Sequence, residues 1–144
     1  QPWRNPKARG LRRRDYHFDT IIHVIRHPVD VIASTAYTEI DPRSLSFRRL
    51  FIDIPPGDAI SMAAYSFVRW TALILDQSVT LSIRVEDAIR VLKSELGVDV
   101  PTPIRKTNQR DHPTITMDDV WNCIGYDTKD GRILEYIMEE FGYN

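Results

Sequence analysis

The sequence predicts a helix-rich α/β fold built on a short parallel sheet. Three observations predict it. Two runs rich in β-branched residues, 19–25 and 79–85, have the length and composition of strands. Helix start and stop residues punctuate the segments between and after them: Pro28, Asp58, Gly97 and Thr116. The order along the chain is strand, helices, strand, helices. Only two segments read clearly as strands, fewer than most sheets contain.

The first run, Asp19 to Ile25, is apolar on both faces, which suits a strand buried in a parallel sheet. Pro28 fits the first turn of a helix, where its missing N–H costs nothing. Asp30 complements the helix dipole there, and Val29, Ile32, Ala33 and Ala36 continue an apolar face over about 28–38. Asp41-Pro42 opens a short helix with Leu45, Leu50 and Phe51 as core candidates. Ile54-Pro55-Pro56-Gly57 interrupts the chain. Asp58 is placed to cap the longest helix, about 59–76, which offers Ile60, Ala63, Ala64, Phe67, Trp70 and Ile74 to a core. The second strand, 79–85, alternates. Asp87 caps a helix that ends near Leu96 at Gly97. Residues 98–113 hold Pro101, Pro103 and Pro113 and read as a long loop. Thr116 and Asp119 resemble a capping box before a helix with Val120, Trp121 and Ile124. A last helix, about 129–141, carries Ile133, Leu134, Ile137, Met138 and Phe141 on one face, and Gly142 ends it.

Composition bounds the function. The chain has 144 residues, 42% hydrophobic and 27% charged, which is globular and excludes a disordered chain. Its longest apolar-rich stretch, 59–75, is broken by Ser61, Ser66, Arg69 and Thr71, so no membrane span is expected. A single cysteine, Cys123, excludes an internal disulfide framework and a multi-cysteine zinc site. It reads as a small core residue, and the usage fits a reducing, cytoplasmic setting. The chain begins at Gln1 rather than Met, so a preceding segment is expected to have been removed or encoded elsewhere. Residues 1–14 have no apolar h-region.

Charge is uneven. Residues 1–14 hold six basic residues, Arg4, Lys7, Arg9, Arg12, Arg13 and Arg14, and no acid. The remainder holds 13 basic and 20 acidic residues. The chain therefore divides into a basic arm, 1–18, and a single domain, 19–144. The arm could meet a polyanion or be a solvated terminus, but no nucleic-acid motif accompanies it, which argues against nucleic acid as the partner.

One constellation carries chemistry. Arg26 falls where the first strand ends and a helix begins, and ligands of open α/β sheets bind at that carboxyl end. A helix start offers N–H groups and partial positive charge to phosphate, and a guanidinium matches phosphate oxygens. Ser34 follows on the same helix with a hydroxyl. The alternative is that Arg26 pairs with a neighbouring carboxylate and Ser34 simply fills the helix. His23 and His27 read as packing or loop residues without partners at metal spacing, and His17 and His112 carry no motif.

Ile22-His-Val-Ile-Arg26-His-Pro28-Val-Asp30-Val-Ile-Ala-Ser34 resembles the 3′-phosphate-binding segment of sulfotransferases. Arg26, Pro28, Asp30 and Ser34 match that family's spacing. Ala64-Tyr65 through Trp70 and Ile74 is similar to its long Tyr/Trp-bearing helix, and Ile83-Arg84-Val85-Glu86-Asp87 to its strand ending in Arg-Tyr-Glu-Asp. Asn108 to Trp121 and Phe141-Gly142-Tyr143 resemble the C-terminal part of bacterial members. The resemblance implies a P-loop-type parallel sheet. It implies 3′-phosphoadenosine 5′-phosphosulfate or adenosine 3′,5′-bisphosphate as the nucleotide, and a 3′-phosphate held by Arg26 and Ser34. The family's N-terminal phosphosulfate loop has no counterpart: Pro6-Lys-Ala-Arg-Gly10 lacks a following Ser or Thr. No catalytic base is identified. In the family a first strand lies between the two strands found here. Either they pair directly, or a partner chain supplies what is missing. A two-stranded sheet with an open edge leads to the expectation of a homodimer.

Overall fold

A computed structural model describes residues 19–39, 42–77, 79–99 and 111–143. The basic arm and most of the proline-containing loop expected at 98–113 lie outside the described residues.

The two β-branched runs form strands β1 (Ile22–Ile25) and β2 (Leu81–Arg84). They pair with each other in parallel, in the register Ile22↔Leu81 through Ile25↔Arg84. Both are shorter than their runs, because pairing rather than composition sets where a strand stops. At the entry, Thr80 N–H and Leu81 N–H both donate to the Ile21 carbonyl. Of the two arrangements left open by the sequence, direct pairing is the one seen, and no strand lies between β1 and β2 among the described residues. The pairing leaves β1 less covered than its composition suggests. Ile25 is buried, but Val24, expected inside, is 49% exposed.

Helix α1 (Pro28–Ser34) begins with Pro28 at its first position and Asp30 in its first turn. It does not run as α-helix to 38. The hydroxyl of Thr38 donates to the Ser34 carbonyl, which an α-helix would give to the backbone, and residues Thr35–Glu39 form a π turn. Helix α2 (Pro42–Arg48) buries Leu45. Leu50, expected in the core, is 48% exposed, since the turn after α2 directs Phe47 and Phe51 onto Trp70 and Leu50 outward. Arg48 Nη1 donates to Ser66 Oγ at 2.7 Å and so satisfies a fully buried hydroxyl.

Helix α3 (Ala59–Leu75) is the spine. Asp58 caps it as expected, accepting from Ser61 N–H at 2.8 Å. Ala63, Ala64, Phe67 and Val68 are buried, and the small residues let α1 approach closely. Ile60 and Trp70 are only half-buried. After β2, a 3₁₀ turn (Val85–Asp87) leads into α4 (Ala88–Leu96). Asp87 is the cap residue of α4 but makes no capping bond; Arg84 and Arg90 occupy its carboxylate instead. Gly97 ends α4 in the left-handed conformation.

Helix α5 (Met117–Ile124) starts with the full Thr116–Asp119 capping box, and α6 (Lys129–Glu140) with a Thr128 cap. Val120, Ile124, Leu134, Ile137 and Met138 close the core against α3. Cys123 is half-buried, and burial raises its thiol pKa. Among the described residues, no helix is long and apolar enough to cross a membrane.

Candidate functional site

The carboxyl end of the sheet gathers residues from three segments. Arg26 and His27 link β1 to α1. Arg84 ends β2, and Glu86 and Asp87 follow it. Tyr143 arrives from the chain's end, two residues after Phe141 closes α6.

Tyr143 is the buried centre of this group, with 6% exposure. Its hydroxyl lies 2.8 Å from Glu86 Oε2 and 3.2 Å from the Ile25 carbonyl oxygen, so it joins β1 to the segment after β2. The His27 ring lies against it at 5.1 Å, and the Arg84 guanidinium stands over its face at 5.7 Å. Burial and then the bond to Glu86 push the phenol pKa up, while the same bond holds the Glu86 carboxyl below its usual range. Arg84 Nε donates to Asp87 Oδ2 at 2.9 Å; this pairing raises the guanidinium pKa and lowers that of the carboxyl. Arg90 adds a second cation to Asp87 at 3.4 Å. Arg84 is therefore committed to its neighbours.

Arg26 is not. It is exposed and makes no ion pair with any carboxylate among the described residues. The helix start beside it differs from the expected cluster of unpaired N–H groups. Val29 N–H donates to His27 Nδ1 at 3.2 Å, and Asp30 and Val31 N–H both donate to the His27 carbonyl. His27, expected as a packing or loop residue, packs on Tyr143 and is also the cap of α1. Ser34 is half-buried in the last turn of α1, about 9 Å along the axis from Pro28. No hydrogen bond joins it to Arg26. For both to hold one phosphate, the Arg26 side chain must lie back along α1.

The Arg26 guanidinium and the Ser34 hydroxyl are both groups of a kind that pair with phosphate oxygens, but the structure does not bring them together. A phosphate meets the helix start only if the His27 ring releases Val29 N–H. His23 is a packing residue, edge-on to Phe141 at 6.5 Å, with burial lowering its imidazole pKa. Among the described residues no cluster of three His, Cys, Asp or Glu is placed to hold a metal. Sequence reasoning did not bring Tyr143, Glu86 and Arg84 together at this end. The sequence singles out 83–87 and 141–143 as separate segments, and nothing in it joins Glu86 to a residue 57 positions further on.

In comparisons with known proteins, no family model matches the chain, and neither a curated protein nor a solved structure matches it.

Proposed function

We propose that the chain is a sulfotransferase-related protein that binds the 3′-phosphate of an adenosine nucleotide at the carboxyl end of β1. The nucleotide is adenosine 3′,5′-bisphosphate or its 5′-phosphosulfate. The observation that carries the proposal is Arg26, an exposed guanidinium without a carboxylate partner among the described residues. It stands where a parallel strand turns into a proline-started helix, inside the segment 22–34 whose spacing resembles the family's. Arg26 binds and orients the phosphate, and Ser34 donates its hydroxyl. Sulfuryl transfer needs a base for the acceptor and donors for the bridging oxygen. Among the described residues β1 pairs directly with β2, without the family's intervening strand, so binding without turnover is favoured for this chain by itself.

Calorimetry and melting scans with adenosine 3′,5′-bisphosphate test this reading. Wild type gains about 2.7 kcal/mol of stability at ligand 100 times the dissociation constant. Arg26→Ala binds roughly tenfold to a hundredfold more weakly. No shift in wild type at millimolar ligand ends the proposal, and equal shifts in both proteins put the nucleotide elsewhere.

A second reading is a protein-binding module that associates with its own copy. The observation favouring it is an outer strand without a charge or proline, beside Ile21 at 40% and Val24 at 49% exposure. Light scattering that returns a monomer mass at high micromolar concentration refutes it.

A further inference from the structure

At the end of α6 remote from Tyr143, a cleft of about 710 Å³ opens between α3, the start of α6 and the loop before α3. Its size is that of small-molecule sites. Its geometry is held by Arg69, which donates to both carboxylate oxygens of Asp130 at 3.0 Å and to the Asp53 carbonyl oxygen at 2.8 Å. One guanidinium thereby clamps three segments of chain. Leu73 and Ile133 supply apolar walls, and Tyr136, 54% exposed, adds an aromatic face.

The charges along the cleft are not alike. Asp130 and Asp53 both pair with Arg69, at 3.0 and 3.4 Å. Lys129 and Arg132 line the same cleft, are exposed and form no ion pair among the described residues. Both stand in the first turn of α6, where the helix dipole disfavours positive charge, so helix stability gives them no role. At the other end lies Asp76, also without an ionic partner among the described residues. From Lys129 to Tyr136 the helix rises about 10 Å.

We propose that this cleft binds a small organic monoanion. Lys129 and Arg132 receive a single carboxylate head, and an apolar, aromatic-ended body lies along Leu73, Ile133 and Tyr136. Asp76 repels a second negative charge at the far end. The site is independent of Arg26 and does not rest on the nucleotide reading.

The probe is 4-phenylbutyrate, followed by calorimetry on the whole chain, with 4-phenylbutan-1-ol as the uncharged analogue. Saturable one-site binding of the carboxylate is expected, with the alcohol at least about tenfold weaker. Lys129→Gln with Arg132→Gln weakens binding by about tenfold or more, while the unliganded double variant melts no lower than wild type. Arg26→Ala binds the probe as wild type does. The proposal is overturned if no saturable binding is seen up to roughly 10 mM. It is equally overturned if the alcohol or the double variant binds as well as carboxylate and wild type do, or if Arg26→Ala abolishes binding.

Discussion

Replacing Tyr143 by phenylalanine removes one oxygen atom and leaves the ring in place, so it isolates the bond that joins the chain's end to the sheet. The hydroxyl has one proton and two acceptors, Glu86 Oε2 at 2.8 Å and the Ile25 carbonyl at 3.2 Å. The shorter contact to the charged acceptor takes most of it. Hydrogen bonds to charged groups contribute about 1.5–3 kcal/mol. Glu86 is a surface residue, so water recovers part of that, and about 1 kcal/mol remains for this contact. The Ile25 carbonyl, left without the Tyr143 hydroxyl, adds a smaller loss. Tyr143→Phe should therefore lose about 1–2 kcal/mol, or roughly 3–8 °C in melting temperature for a chain of this size.

The pH dependence gives the test its sign. The Glu86 carboxyl is held below its ordinary value, first by the Tyr143 hydroxyl. Its stabilising effect is present above the unfolded carboxylate pKa of about 4.3 and is lost as pH falls through the lower folded value. The Tyr143 phenol is held above its ordinary value, so its contribution is complete below about pH 10 and is lost as pH rises towards the folded value. Urea denaturation of wild type, Tyr143→Phe, Glu86→Gln and the double variant, followed by circular dichroism, measures the coupling directly. The gap between wild type and Tyr143→Phe should narrow below about pH 4. An unchanged midpoint at neutral pH, or a gap of the same size at pH 3 and pH 7, would refute the argument.

Two further outcomes follow from local geometry. Gly131→Ala places a Cβ 2.0 Å from the Gly125 carbonyl oxygen and 2.8 Å from that of Tyr126, so α6 must move off α5. Helix propensity alone predicts a gain of about 1 kcal/mol; the clash should reverse the sign, with a loss of about 3 kcal/mol or more in urea denaturation. Thr116→Ala removes the oxygen that accepts Asp119 N–H and should cost about 1 kcal/mol, read as a lower denaturation midpoint.

The sequence by itself determined the features that depend on residues within one turn of each other. Pro28 starts α1, Asp58 caps α3, Gly97 stops α4, and Thr116 and Asp119 close the box on α5. Each is a contact across at most four positions, or a conformational preference of one residue, and so is written locally. The parallel orientation of the strands was legible too, because helices between β-branched runs favour crossover connections. What only tertiary structure decided depends on distant partners. The helix start beside Arg26 is closed because the His27 ring, packed on Tyr143, turns onto Val29 N–H. Gly131 is required by a carbonyl of the preceding turn that no periodicity marks. The clamp of Arg69 on Asp130 spans 61 positions, and the cleft beside it exists only where two helices and a loop are brought together. Composition also placed Val24 inside, but burial is a property of what lies above a strand, and the outer face of β1 has no such cover among the described residues.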